Sequence, residues 1–163
     1  MSDARPGGRP EQGDDALEDL YREVILDHYK NPRNRGRVQG EGAAEIDLQN
    51  PTCGDEIHLS LRLRDGRVAE VAFEGRGCSI SMASASMMTE ALRGKTLVEA
   101  VGLNAAFKGM LGGGPAPEDA LGDLVALAGV AQFPVRVKCA TLAWNALVRA
   151  LGSNAADAHA HQQ

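Results

Sequence analysis

Residues 55–78 read DEIHLSLRLRDGRVAEVAFEGRGC, and this stretch decides the fold. Apolar side chains alternate with polar ones on both sides of Asp65-Gly66, at positions 57, 59, 61 and 63 and again at 71 and 73. A period of two predicts strands with one buried face, and Asp-Gly is a two-residue hairpin signal. A weaker alternation at Ile46 and Leu48 predicts a preceding strand. The sequence therefore predicts a three-stranded antiparallel meander whose apolar face needs a cover.

Helices are predicted to supply that cover. Apolar residues at helical spacing predict a first helix over about 15–30, ended by Pro32, and a last helix over about 137–151. Two more are predicted over 79–93 and 118–128, ended by Gly94 and Gly129. Thr96 and Glu99 form a capping-box pattern for another helix between them. Helices on one face of a small antiparallel sheet give the α+β class.

One domain is expected over residues 14–152. The chain has 163 residues, a length that favours a single domain. Residues 1–13 are polar and rich in Gly and Pro, and residues 153–163 are similarly polar, so both ends are predicted to be disordered.

Charge and hydropathy exclude several classes of function. A net charge of −5 disfavours nucleic acid, because phosphate binding needs a basic face. No apolar run approaches the roughly 20 residues that span a bilayer, so no membrane partner is expected. The N-terminus lacks the apolar centre of a secretory signal, and the expected location is cytoplasmic.

Three cysteines carry the functional signal. Their odd number and a reducing cytosol argue against disulfides, which leaves buried apolar cysteines, a metal site or reactive thiols. Cys53 falls in the turn between the first two strands, Cys78 where the hairpin gives way to a helix, and Cys139 near the start of the last helix. The positive end of a helix favours thiolate, so Cys78 and Cys139 occupy positions that help a thiol ionise.

Asp55 follows Cys53 by two residues and could reach the same point. Three thiolates and one carboxylate suit tetrahedral Zn²⁺, and thiolates equally suit iron–sulfur clusters. Each cysteine taken alone also fits a small buried hydrophobe, and Asp55 a turn residue beside Gly54. The spacing is not a Cys-x-x-Cys pair, so these alternatives stay open on spacing alone.

Several motifs, in order, resemble the U-type iron–sulfur cluster scaffolds, the family that includes IscU, SufU and the N-terminal domain of NifU. The likeness runs from Leu20 to Leu151 and rests on HYKNPRN at 28–34, NPTCGD at 50–55, GCSIS at 77–81 and RVKCATLAW at 136–144. The resemblance implies a SufE/NifU-like fold. It also maps the ligand set of the family onto Cys53, Asp55, Cys78 and Cys139.

Three departures resemble the SufU branch. Lys138 stands where the IscU branch has histidine, residues 133–137 replace a chaperone-binding segment, and the stretch between Gly94 and Cys139 is long. The resemblance implies bound Zn²⁺ and a sulfurtransferase-like role. The implied sulfur donor is a SufS-like, pyridoxal-phosphate cysteine desulfurase, and the implied recipient is a SufB/C/D-type cluster-building complex.

Within that role, Cys53 is the predicted sulfur acceptor, because its glycine-flanked loop can move. Arg136 and Lys138 are predicted to support thiolate or persulfide with positive charge, with ordinary solvated charge as the alternative. Arg33, Arg35 and Arg37 either help to dock the partner or solvate a loop.

Two other functions stay open: a true scaffold on which a [2Fe–2S] cluster is assembled transiently, and a protein whose zinc is purely structural. A hydrolytic zinc enzyme is disfavoured, because no His/Glu ligand set with a general base is evident.

Overall fold

The computed structural model describes residues 8–51 and 54–162, with side chains described for 19–51 and 54–152. The elements follow in the order α1 (Gly8–Lys30), β1 (Ala43–Asn50), β2 (Asp55–Arg64), β3 (Arg67–Arg76), α2 (Ser79–Leu92), α3 (Leu97–Leu111), α4 (Glu118–Leu121), a 3₁₀ helix (Gly122–Gln132) and α5 (Pro134–Gln162). This is the predicted α+β architecture.

The three strands form the predicted antiparallel meander in the order β1-β2-β3. Asn50 pairs with Asp55 across the first turn, and Arg64 pairs with Arg67 across the second. Asp65 and Gly66 both have positive φ, 55° and 74°, as a two-residue hairpin turn of type I′ requires. The hairpin prediction is therefore confirmed.

Helices cover the face of the sheet that carries the apolar alternation. α5 packs against β1 and β2, and α2 packs against β3 and α5. The largest side chains of this core are fully buried: Leu59, Leu61, Phe73, Met88, Leu92, Phe107, Leu127, Trp144 and Leu147. Trp144 stacks on Phe107 with ring centroids 4.5 Å apart, which ties α5 to α3.

The opposite face of the sheet is partly covered by the segment between α1 and β1. Val38 is 7% exposed, and its backbone N–H donates to Ser60 Oγ at 2.8 Å. The same segment closes the edge of β3, where the Phe73 N–H donates to the Asn34 carbonyl and the Gly36 N–H donates to the Phe73 carbonyl. Farther along that edge, Gly94 and Lys95 exchange hydrogen bonds with Val68.

The helix boundaries at both ends of the chain differ from the prediction. α1 begins at Gly8 rather than Asp15. Pro10 is tolerated in its first turn because backbone N–H groups there make no hydrogen bond within the helix, so proline, which lacks an N–H, loses none. α5 begins at Pro134 rather than Val137 for a related reason, since proline suits the first helical position. α5 also continues past Leu151 through an alanine-rich stretch of high helix propensity. The domain limits at residues 13 and 152 stay predictions, and residues 1–7 and 163 lie outside the described residues.

The prediction of an α-helix over 118–128 is wrong. Gly122 takes φ 55° and ψ −128°, which ends α4 at Leu121, and the chain continues as a 3₁₀ helix to Gln132. Gly129 lies inside this 3₁₀ helix rather than ending a helix. By contrast, the Thr96–Glu99 capping box and the stop at Gly94, with φ 81°, are confirmed. Among the described residues, no helix is long and apolar enough to cross a bilayer.

Candidate metal centre

Asp55 opens β2 and faces the helices. Its position shares the face of Ile57 and Leu59, since alternate residues of a strand point to the same side. The carboxylate is therefore placed beneath α2 and α5, and the residue is only 1% exposed. A buried carboxylate needs hydrogen bonds or a cation, and Asp55 Oδ1 accepts a hydrogen bond from the Cys78 backbone N–H at 3.2 Å.

Cys78 is the N-cap residue of α2, with extended backbone at φ −74° and ψ 171°. Met82 N–H donates to the Cys78 carbonyl at 3.1 Å, and so does the Ser81 hydroxyl at 3.0 Å. The residue is half-buried.

Cys139 is the sixth residue of α5 and is 1% exposed. Its Sγ lies 3.7 Å from the Val135 carbonyl oxygen, one turn earlier in the same helix. The helix dipole acts mainly within the first turn of a helix. Because α5 begins at Pro134, Cys139 lies beyond that turn. The expectation that Cys139 is activated by a helix N-terminus is therefore wrong, whereas Cys78 does occupy such a position.

These three side chains converge. One ligand atom each from Asp55, Cys78 and Cys139 lies within 4.8 Å of the others. Residues more than 80 positions apart in the sequence meet because β2, α2 and α5 pack together, and this is the grouping predicted for them.

The electrostatics of Cys78 favour a thiolate. Burial raises the pKa of the thiol, but the Ser81 backbone N–H and hydroxyl lower it by hydrogen bonding. The Asp55 carboxylate raises this pKa and the Cys139 thiol lowers it, and the net pKa of Cys78 lies below its ordinary value. A thiol that deprotonates readily is both a better nucleophile and a better metal ligand.

Ser81 and Gly77 complete the surroundings of Cys78. The Ser81 hydroxyl oxygen lies 3.7 Å from Cys78 Sγ. A Cβ placed on Gly77 would overlap the Asp55 carboxylate and lie 2.6 Å from Ser81 Oγ. The sequence showed the glycine and the small-residue helix, but only the packing reveals why these two positions require small side chains.

Of the remaining predicted site residues, Arg136 and Lys138 are described by the structure and Cys53 is not. Cys53 lies outside the described residues, although its neighbours Pro51 and Gly54 are described, and the Gly54 N–H donates to the Asn50 carbonyl at 2.8 Å. Arg136 and Lys138 are exposed residues on the first turns of α5.

Neither described histidine belongs to this cluster. His28 is buried in α1 with Nδ1 2.8 Å from Ser86 Oγ. His58 lies on the outer face of β2, with Nδ1 2.7 Å from Asp47. Both side chains are therefore engaged elsewhere in the fold.

The arginines after α1 are engaged within the chain. Arg33 pairs with Asp27 at 2.6 Å, and Arg37 pairs with Glu74. Two of the three arginines therefore have ion-pair partners within the chain, and their presence does not require a partner protein.

The donor set fits zinc. Zinc bonds of about 2.0–2.3 Å place tetrahedral donors about 3.3–3.8 Å apart, and the three ligand atoms here all lie within 4.8 Å of one another. Two thiols and a carboxylate supply three donors, and a fourth is needed to close a tetrahedron. The buried Asp55 carboxylate also gains a cationic partner when a metal binds.

Comparison with known proteins gives consistent results. The family model for the NifU-like N terminal domain matches residues 20–152. The chain is 51% identical over 132 residues to the zinc-dependent sulfurtransferase SufU of Bacillus subtilis, covering 80% of this chain and 88% of that protein. It is 45% identical over 148 residues to the iron-sulfur cluster assembly scaffold protein IscU of Streptococcus pyogenes, covering 90% and 92% respectively.

A solved structure supports the same relationship. A protein from Fervidobacterium islandicum, described as an iron-sulfur cluster assembly scaffold for the SUF system, superposes with a TM-score of 0.75 at 34% identity. The match covers 79% of this chain and 94% of that one.

Proposed function

Because the chain belongs to the family of NifU-like N-terminal domains, we propose that it is a SufU-type, zinc-dependent acceptor and carrier of persulfide sulfur in iron–sulfur cluster assembly. The observation that carries this proposal is the convergence of Asp55, Cys78 and Cys139 within 4.8 Å at the junction of β2, α2 and α5. The packing of an apolar core does not account for a buried carboxylate beside two thiols.

Cys53 is proposed as the fourth zinc ligand. It precedes Asp55 by two residues, and two consecutive Cα–Cα steps span at most about 7.6 Å, so the chain itself keeps the two residues close. Adding this thiol gives three sulfurs and one carboxylate, a four-donor set of the kind zinc takes. Zinc, when bound, keeps its cysteine ligands deprotonated at neutral pH.

Cys53 is also the proposed sulfur acceptor. Cys78 caps a helix and Cys139 is buried in one, whereas Cys53 belongs to the connection between β1 and β2, beside Gly54 with φ 72°. Its thiolate attacks the outer sulfur of a cysteine persulfide on the partner enzyme. An S–S bond forms at Cys53, the partner's S–S bond breaks, and the partner's cysteine leaves as a thiolate, with no net change in oxidation state.

Arg136 and Lys138 are proposed to support this step electrostatically. Arg136 lies in the first turn of α5, where a positive charge is repelled by the helix dipole and destabilises the helix. Residues that depart from such local rules are concentrated at functional sites. Both side chains are exposed on the helix that carries Cys139. A positive field beside Cys53 would stabilise its thiolate and the persulfide formed there.

The proposed sulfur donor is a SufS-like cysteine desulfurase, and the proposed recipient is a SufB/C/D-type complex. Phe133 and Val135 are 58% and 59% exposed at the start of α5, within one or two turns of Cys139. Exposed apolar side chains beside a reactive site favour docking of a protein partner. The three cysteines of the chain cannot all pair with one another, which favours a reducing compartment, so a cytoplasmic location is proposed.

The decisive experiment is Cys53→Ser. We expect the variant to keep its far-ultraviolet circular dichroism spectrum but to accept no sulfur from a SufS-like desulfurase and not to stimulate its turnover. Mass spectrometry of the wild-type chain after one turnover should place the added sulfur on Cys53. Persulfide on Cys78 or Cys139, or undiminished acceptance by Cys53→Ser, would reject Cys53 as the acceptor.

A true scaffold for a [2Fe–2S] cluster is the second candidate, favoured by the same thiol pair and by 45% identity to an IscU scaffold. Metal and sulfide analysis of protein purified without oxygen separates the two. One zinc and no visible colour support sulfur transfer, whereas iron, sulfide and a brown colour support the scaffold.

A further inference from the structure

We propose that Ser84 is a positioning residue of the metal centre, fixing the helix that carries Cys139 against the helix that begins at Cys78. The inference rests on the proposed zinc site, but it concerns how the chain holds that site ready before any ion binds. A site assembled from three separate elements needs such links, because ligands displaced by about 1 Å bind poorly.

Ser84 connects α2 to α5 through two hydrogen bonds. Its hydroxyl donates to the Ala140 carbonyl oxygen at 2.6 Å and accepts from Trp144 Nε1 at 3.0 Å. All three residues are fully buried, so water does not compete for these bonds. A buried, fully satisfied polar network is worth more than the same contacts in water and specifies one arrangement.

The link acts next to the ligand. Ala140 directly follows Cys139, so the Ser84 hydroxyl holds the backbone to which that thiol is attached. Along α2, Ser84 lies six residues after Cys78 on one continuous helix. The distance between the two sulfurs is therefore set by a rigid path that runs from Cys78 along α2, through Ser84, to Ala140.

The third ligand is already tied to the same path. The Cys78 backbone N–H donates to Asp55 Oδ1, which joins β2 to the start of α2. Trp144, in turn, is held by stacking on Phe107. With Ser84 in place, both β2 and α5 are linked to α2, so the three elements that carry the ligands are held in one arrangement.

Ser86 supplies a matched control on the same helix. It is also fully buried, and its hydroxyl accepts from the Arg33 backbone N–H at 2.9 Å and lies 2.8 Å from His28 Nδ1. It therefore links α2 to α1 and the segment after it, neither of which carries a ligand. Ser84→Ala and Ser86→Ala each remove two hydrogen bonds of a fully buried hydroxyl, but only Ser84→Ala is expected to loosen a metal ligand.

The test measures zinc affinity by chelator competition in the wild-type chain and both variants, with urea unfolding to confirm that each is folded. We expect Ser84→Ala to lower zinc affinity by about tenfold or more, the usual size of the effect when a supporting contact of a metal ligand is removed. Ser86→Ala is expected to keep wild-type affinity although it is similarly destabilised. Equal affinities in the two variants would overturn the proposal.

A second readout needs no metal. In the Cys53→Ser background only Cys78 and Cys139 remain as thiols, so a short bifunctional thiol reagent reports their separation. Adding Ser84→Ala is expected to slow this cross-linking several-fold, and adding Ser86→Ala to leave it unchanged. An unchanged cross-linking rate with Ser84→Ala contradicts the proposed role of Ser84, whether or not the wild-type chain binds zinc. Failure of the wild-type chain to bind zinc would count against the proposed function instead.

Trp144→Phe covers the case in which Ser84→Ala does not fold. It keeps an aromatic ring against Phe107 but removes the indole N–H that orients the Ser84 hydroxyl. We expect zinc affinity and the cross-linking rate to fall by about threefold, in the direction expected for Ser84→Ala. Wild-type values for both quantities in Trp144→Phe would overturn the proposal.

Discussion

Gly77 leaves no room for a side chain, because a Cβ there would overlap the carboxylate of Asp55 and crowd the Ser81 hydroxyl. We expect Gly77→Ala to push Asp55 away from Cys78 and to lower zinc affinity by about tenfold or more, as displaced ligands do. Zinc affinity by chelator competition measures the effect. The fold should persist, since the clash lies at the site and not in the core.

Gly102→Ala is the matched control for that substitution. Gly102 lies within α3, and a Cβ there meets nothing within 4 Å. This variant should keep wild-type zinc affinity and gain up to about 1 kcal/mol in its free energy of unfolding, because alanine is the better helix former. Wild-type zinc affinity in Gly77→Ala would show that the close approach of Asp55 is not needed.

The residues of the site were open to prediction to different degrees. Motif positions identified Asp55, Cys78 and Cys139, and the structure brings these three together. Ser81 and Ser84 fall within the predicted helix 79–93, but no role was predicted for them, because a buried hydroxyl and a merely small side chain look alike in a sequence. Their hydrogen bonds depend on which helix lies opposite, and that is set by tertiary packing.

Among the elements, α1 depends on a buried histidine for its contact with α2. His28 Nδ1 lies against Ser86, while Nε2 faces Glu90 at 3.8 Å and Asp123 at 3.7 Å. Burial lowers the pKa of His28, and the Arg33 guanidinium lowers it further, whereas Glu90 and Asp123 partly oppose the change. The neutral imidazole is therefore the form that the folded chain prefers.

The sign of the resulting pH dependence follows from linkage. In the unfolded chain His28 takes up a proton near its ordinary pKa of about 6.5, whereas the folded chain resists protonation until a lower pH. The stabilisation is complete above about pH 6.5 and is lost as the pH falls toward the lower folded pKa. We expect the free energy of unfolding, from urea titrations of metal-free protein, to fall over this interval.

His28→Gln should flatten that fall, since glutamine does not titrate. His58→Gln is the comparison variant, because His58 lies on the outer face of the sheet beside Asp47 and Glu45. It should retain the part of the slope that comes from His28. An unaltered slope in His28→Gln would assign the pH dependence to other groups.

Local signals predicted some elements well and others poorly. The hairpin at Asp65-Gly66 and the capping box at Thr96 depend on a few adjacent residues, and both are confirmed. The 3₁₀ helix Gly122–Gln132 was not predicted, because its apolar residues fit an α-helix equally well and long 3₁₀ segments are uncommon. The starts of α1 and α5 were missed because the prediction followed apolar spacing, whereas each helix has a proline in its first turn, where proline is well tolerated.

For the molecule as a whole, the metal centre and the core are separate sources of stability. The core side chains between sheet and helices are fully buried against one another. We therefore expect chelation of zinc to lower the melting temperature but to leave the far-ultraviolet circular dichroism spectrum unchanged. At a free zinc concentration one hundred times the dissociation constant, binding should add about 2.7 kcal/mol to the free energy of unfolding.

That experiment also tests a purely structural role for zinc. If the ion only held the chain together, its removal would unfold the protein, as in small zinc-dependent domains. Collapse of the helical signal on chelation would favour that role over sulfur transfer. Serine in place of Cys53 gives a useful control, since it should leave the metal-free melting temperature close to that of the wild type.

The overall architecture followed from the sequence because the alternation of residues 55–73 leaves one apolar face and the helical segments supply its cover. The segment that covers part of the opposite face of the sheet could not be predicted from the sequence. Val38 and the bonds from Asn34 and Gly36 to β3 belong to a polar segment with no periodicity, and only the folded chain shows that it lies along the sheet.

That segment, together with Gly94 and Lys95, shields one border of the sheet, and β1 forms the other. A second copy of the chain that added to the sheet along β1 in antiparallel fashion would meet Glu45 and Asp47, which are exposed there. Such self-addition would set these acidic side chains against their own copies, and like charges across strands repel. The acidic edge strand therefore disfavours edge-to-edge self-association of the chain, which suits a carrier that binds its partners only transiently.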